Sequence, residues 1–217
     1  HAAGGGAGAA VTLATAHADG SVRLHFLRAG EADDPQTARL VPAAASPSDD
    51  AGGRAGRLCL SLDWDDAGAP AAGTGRHRLV SSYSDGSLAV HAASVDAGGC
   101  AAEIEVAHAW AGHALFGGIP AEVWTTCFLH RPEGGGAAAH VLSGGDDAKL
   151  KLWDLRDTSA PAIKNLGRCD AGVTACCVHP TDPHAVLTGD YDGKMRLWDV
   201  RAAGGDGVSH RMLGEVD

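Results

Sequence analysis

The sequence predicts an all-β propeller, and three observations predict it. First, VLSGGDDAKLKLWDLR at 141–156 returns as VLTGDYDGKMRLWDVR at 186–201, with Asp147 and Asp192 holding the same place 45 residues apart. Second, each copy is an apolar run, a tight acidic turn and an alternating strand closed by Trp-Asp, which is a hairpin with a period of two. Third, the chain is rich in Gly and Ala, with 31 Gly among 217 residues, as fits a turn-rich protein.

A repeat of about 40–45 residues ending in Trp-Asp marks a propeller blade of the WD-repeat type. Four blades are recognisable, at about 11–45, 58–107, 110–167 and 172–217, as part of a longer ring of about seven. His1–Ala10 is a low-complexity Gly/Ala stretch. Val11–Leu27 is the first hairpin, turning at Asp19-Gly20, where Gly accepts a positive φ and Asp bonds its own backbone. Its expected outer strand is Ala38–Val41, inside a loop-rich stretch from Glu31 to Gly56, and its inner strand is not evident. Leu58–Trp64 alternates as the inner strand of the second blade, whose hairpin turns at Asp85-Gly86 and whose outer strand is expected at Glu103–Ala107. His108–Pro120 reads as a connector carrying the Gly112-His113 dipeptide. Trp124–Leu129, Ala139–Ser143, Leu150–Trp153 and Ile163–Leu166 supply the third blade. Val173–His179, Ala185–Thr188, Met195–Trp198 and His210–Leu213 supply the fourth. In the two strong copies, Leu150 and Leu152 alternate with Lys149 and Lys151, and Met195 and Leu197 with Lys194 and Arg196. The apolar members are expected inside and the basic ones in solvent.

Composition limits the function classes. A formal net charge of −10 gives no broad basic field for nucleic acid or an anionic membrane. No apolar run approaches the roughly 18 residues of a membrane span, and no signal peptide is visible, although the chain starts at His1. Six Cys, at 59, 100, 127, 169, 176 and 177, are scattered without a C-x-x-C and read as free thiols filling a core in a reducing compartment. No nucleophile elbow, phosphate-binding Gly loop, zinc motif or dinucleotide fingerprint occurs, so neither a metal nor a cofactor is expected.

The residues that remain fall into two groups. Asp147, Ser143, His113 and Trp153 fit a hydrogen-bonded tetrad that locks a blade, and Thr188, Asp192 and Trp198 fit an incomplete one with Cys169 or Asp170 in the histidine's place. Asp146 and Asp190 are acids beyond what these turns need. Neighbouring carboxylates can raise one another's pKa and act as acid or base. His113, Glu122, Asp146 and Asp190 are therefore the catalytic candidates, with Trp124 and Tyr191 as candidate substrate contacts.

The order LCLSLDW, LVSSYSDGSLAVH, HAWAGH…EVW, SGGDDAKLKLWDLR and GVTACCVHPTDPHAVLTGDYDGKMRLWDVR resembles the diphthine methyltransferase family, now regarded as diphthine methylesterases. The resemblance runs from Val11 to Asp217 and is firmest over Trp110–Arg201. It implies a cytoplasmic hydrolase of diphthamide biosynthesis that removes the methyl ester from methylated diphthine on elongation factor 2, with other proteins of that pathway as further partners. In this chain the family's His-to-Glu run is stretched by ALFGGIPA between His113 and Glu122. The last turn reads Gly189-Asp190-Tyr191-Asp192-Gly193 where the family favours Gly-Ser-Tyr-Asp-Glu. The competing readings are a non-catalytic WD-repeat scaffold and a ubiquitin-ligase substrate adaptor, the latter resting on Asp154-Leu155-Arg156 and Asp199-Val200-Arg201.

Overall fold

The computed structural model describes residues 11–29, 38–46, 56–65, 76–96, 101–129, 138–156, 162–200 and 211–216. The low-complexity stretch His1–Ala10, Cys100, Arg201, His210 of the last expected strand, and most of the loop from Glu31 to Gly56 lie outside them. Among the described residues, fifteen strands form four antiparallel meanders. The first holds β1 (Val11–Ala16), β2 (Val22–Ala29) and β3 (Ala38–Ala45). The second holds β4 (Cys59–Trp64), β5 (Arg76–Tyr83), β6 (Ser87–Val95) and β7 (Ala102–Ala111). The third holds β8 (Thr125–Leu129), β9 (His140–Gly144), β10 (Lys149–Asp154) and β11 (Ala162–Arg168). The fourth holds β12 (Val173–Val178), β13 (Ala185–Asp190), β14 (Met195–Asp199) and β15 (Arg211–Val216). The leading strands β1, β4, β8 and β12 lie side by side in that order, so the sheets stack like successive blades.

The repeat is exact in register. Ser143 faces Lys151 and Val141 faces Trp153 across β9–β10, while Thr188 faces Arg196 and Val186 faces Trp198 across β13–β14. Two boundaries differ from the sequence reading. His108–Ala111, expected in a connector, extends β7, with Trp110 opposite Leu88 and His108 opposite Val90. β3 runs through Pro42, which an outermost strand tolerates, because among the described residues no further strand asks for its missing N–H.

The buried-face expectation is corrected. Lys151 and Arg196 are buried, at 7% and 3% exposure, while Met195 and Leu197 are exposed. The third sheet is covered on both faces and the fourth turns its basic residue towards the third, so simple inside–outside alternation does not hold. Leu150 and Leu152 of the third sheet pack towards the fourth, with Val186 and Trp198. Val141 and Trp153, on the opposite face with Phe128, pack towards Val80 and Leu88 of the second. In the fourth sheet the face that meets the third carries Val186, Thr188, Arg196 and Trp198. Leu187, Met195 and Leu197 point the other way, uncovered among the described residues.

One glycine is required by this stacking. A Cβ on Gly167 of β11 would overlap the six-membered ring of Trp198. Gly167→Ala should therefore lower stability by about 1–3 kcal/mol through overpacking. Urea unfolding checks this, and an unchanged midpoint would mean that Trp198 moves aside freely.

Candidate active site on the turn rim

The turns β5–β6, β9–β10 and β13–β14 and the connectors β7–β8 and β11–β12 meet at one end of the sheets. Backbone bonds stitch them together. Gly112 and His113 donate to the Gly86 carbonyl, and Val123 to that of Tyr83. Asp146 donates to Glu122 (3.0 Å), Val173 to Gly145 (3.0 Å) and Tyr191 to Gly172 (3.0 Å). The approach is close enough that a Cβ on Gly145 would lie 2.5 Å from the Glu122 carbonyl oxygen. The Gly-Gly of the third turn is thus a packing requirement of this rim.

Behind the rim lies the tetrad. Trp153 Nε1 donates to Ser143 Oγ (2.7 Å), Ser143 Oγ lies 2.7 Å from His113 Nε2, and His113 Nδ1 lies 2.8 Å from Asp147 Oδ1. One arrangement of protons satisfies all of it: Ser143 donates to Nε2, and Nδ1–H donates to the carboxylate. Burial pushes the His113 imidazole below its ordinary pKa against the pull of Asp147, so it is neutral at neutral pH. Burial raises the Asp147 carboxyl, but the His113 hydrogen bond, with the His113 and Lys151 charges, outweighs this and leaves it below its ordinary range. Lys151 Nζ sits 3.2 Å from Asp147 Oδ2 and donates to the Gly112 carbonyl (2.6 Å). His113 is 3% exposed and both its ring nitrogens are engaged. The structure therefore places this catalytic candidate inside the scaffold, where it holds the turn.

Asp190 is placed in the same way. Its carboxylate is buried and pairs with Arg196. Arg196 Nη2 also donates to Asp170 (2.9 Å) and Asp192 (3.1 Å). Trp198 Nε1 donates to Thr188 Oγ1 (2.8 Å), so the tryptophan–hydroxyl half of the tetrad survives, and Arg196, the counterpart of Lys151, pairs with the turn acids. Cys169 is buried beside this group, with its thiol pushed up by burial. Sequence reasoning missed Lys151 and Arg196. The signal was available: both sit two residues before the blade tryptophan and opposite the tetrad hydroxyl.

On the solvent side the structure brings together Trp124, Asp146 and Tyr191. Trp124 Nε1 donates to Asp146 Oδ1 (2.7 Å), and the Trp124 and Tyr191 rings meet edge to face with centroids 6.2 Å apart. Gly172 floors the group, since a Cβ there would lie 3.1 Å from both Asp146 Oδ1 and Tyr191 Cδ2. Asp146 and Tyr191 are exposed, and Glu122 is half-buried, tied to Asp146 through the backbone. With the indole fixed on Oδ1, Asp146 keeps Oδ2 for a water or a substrate proton. The two rings form a wall at which an acyl group could lie. No cluster of His, Cys, Asp or Glu that could hold a metal occurs among the described residues. No helix among them is long and apolar enough to cross a membrane.

Four stacked antiparallel meanders, hairpins that repeat in register and a Trp–Ser–His–Asp lock define a WD-repeat propeller protein. The family model "WD domain, G-beta repeat" matches residues 163–199. Over 133 residues the chain is 31% identical to a Diphthine methyltransferase homolog from Dictyostelium discoideum, a match spanning 57% of this chain and 30% of that protein. The resemblance read from the motifs is thus borne out, and the match covers less than a third of that relative's length.

Proposed function

We propose that this chain forms part of a cytoplasmic carboxylic ester hydrolase that removes the methyl ester from methylated diphthine on elongation factor 2, a step in diphthamide biosynthesis. The observation that carries this reading is the similarity to a relative named for diphthine chemistry. The rim group supports it by offering what ester hydrolysis needs. Asp146, oriented by the Trp124 indole, takes a proton from water, and the hydroxide oxygen attacks the ester carbonyl. The Tyr191 phenol is a donor for the developing oxyanion, and Glu122 is the second carboxyl at hand. Collapse expels methanol, which recovers the proton, and leaves a carboxylate; water is the only co-reactant. Of the four catalytic candidates, Asp146 and Glu122 carry the chemistry in this reading, and His113 and Asp190 hold the turns that present them.

The test uses the full-length protein and elongation factor 2 carrying methylated diphthine, with loss of one methyl followed by mass. Asp146→Asn should lower kcat by about a hundredfold or more, the scale of a lost general base. Its urea midpoint should stay at the wild-type value, because Asp146 is exposed. A fully active Asp146→Asn would remove Asp146 from the mechanism. A folded wild type that demethylates nothing would favour the scaffold or adaptor reading, for which Arg156 is available, exposed and held against Asp154 (Nε to Oδ1, 2.9 Å).

A further inference from the structure

The connector between β7 and β8 carries the strongest feature that the chemistry leaves unused. Residues 114–121, ALFGGIPA, contain no charge in a chain that is 20% charged. They fold into a closed finger. Ala114 bridges Pro120, Leu115 N donates to the Ile119 carbonyl (2.8 Å), and Gly118 N donates to the Leu115 carbonyl (3.2 Å). Gly117 and Gly118, at φ 78° and 81°, make the reversal. The base is anchored in the rim: His113 N donates to Gly86, Ala121 N donates to His113, and Ala121 and Val123 are buried. The tip is not. Phe116 is 100% exposed, Ile119 61% and Leu115 44%.

Three large apolar side chains held in water on one short closed loop mark an interaction site. The finger's backbone bonds are made within itself, so docking it costs little ordering. Its root lies directly between His113 and Glu122, and Glu122 is bonded through its carbonyl to Asp146. A partner that receives the tip therefore also covers the rim group. The acids Glu122 and Asp146 at the root favour a partner surface of opposite charge there.

We propose that the Ala114–Pro120 finger is the docking element for a protein substrate of the adjacent site, with Phe116 entering an apolar socket bordered by basic side chains. The inference rests on the ester-hydrolase reading for the identity of that substrate.

The experiment compares Phe116→Ala and Phe116→Asp with wild type in the full-length protein. Two substrates are used: elongation factor 2 carrying methylated diphthine, and a short peptide containing the same methylated residue. Binding of the intact factor is measured in parallel by fluorescence anisotropy. For the intact factor, KM and Kd should rise about tenfold to a hundredfold, the scale of one lost phenylalanine contact. Rates on the peptide should match wild type. Unchanged KM and Kd for the factor would overturn the inference. So would a wild-type dimer that Phe116→Ala converts to monomer, since the tip would then belong to a second copy. If wild type turns over neither substrate while Phe116→Ala still weakens binding of the factor, docking stands and the hydrolase reading falls.

Discussion

Arg196→Ala is expected to destabilise the protein by about 3–5 kcal/mol, the cost of removing one partner of a buried ion pair. The guanidinium is 3% exposed and its main partner, the Asp190 carboxylate, is wholly buried. Without Arg196, the Asp190 carboxylate keeps, among the described residues, the Lys194 backbone N–H at 3.3 Å, and the charge remains inside the sheet. The Asp170 and Asp192 carboxylates lose a donor as well, but both reach solvent and rehydrate. The double change Arg196→Met with Asp190→Leu should recover much of the loss, because apolar replacement of a whole buried pair is often neutral. The equivalent Lys151→Ala should cost less, since His113 still bonds Asp147. Urea unfolding of the three variants decides the matter. A loss for Arg196→Ala within about 0.5 kcal/mol, the range of an ordinary surface change, would mean that the pair does not stabilise the last blade.

The elements of the fold were legible because they rest on local rules. The Asp-Gly turns, the paired hairpins and the Trp-Asp ends each follow from a few neighbouring residues, and the 45-residue offset carries Ser143 onto Thr188 and Trp153 onto Trp198 in matching register. The choice of buried face was not legible. Alternation does not say which face a neighbouring blade covers: the third sheet is covered on both and the fourth on the face of Arg196, so Lys151 and Arg196 read as solvated while they neutralise turn acids in the interior. The rim group shows the same limit. Trp124 and Asp146 are 22 residues apart on different loops, and it is the pairing of β8 with β9, Thr125 opposite Gly144, that brings the indole to the carboxylate. Sequence could single out His113 as a histidine in a useful place. Whether its imidazole faces water or a serine and an aspartate is decided by burial, which residue type does not record.

Stability should fall by about 3 kcal/mol between about pH 6.5 and pH 4, and His91 is the main cause. This imidazole on β6 is wholly buried, with Nε2 2.8 Å from Ser81 Oγ and Nδ1 without a hydrogen-bond partner among the described residues. Burial, helped by the charge of Arg57 stacked on Tyr83, lowers its pKa to about 4 from an ordinary 6.5. The folded state thus binds its proton later than the unfolded chain does. Its contribution is complete above about 6.5, shrinks as pH falls and levels off near 4, and that gap at about 1.4 kcal/mol per pH unit gives the stated loss. His113 is lowered by burial too and acts in the same direction. Asp147 does not share this window: its carboxyl lies below the ordinary 3.8, so what it contributes is lost only at lower pH. His91→Leu separates the sources. Ser81 Oγ still reaches Tyr83 Oη at 3.0 Å in the variant, so no buried hydroxyl is stranded. Urea midpoints measured from about pH 7 to about pH 4 should fall steeply for wild type and much less for His91→Leu, with the gap between them widening towards acid. Parallel curves would show that His91 is not the residue that makes the fold acid-labile.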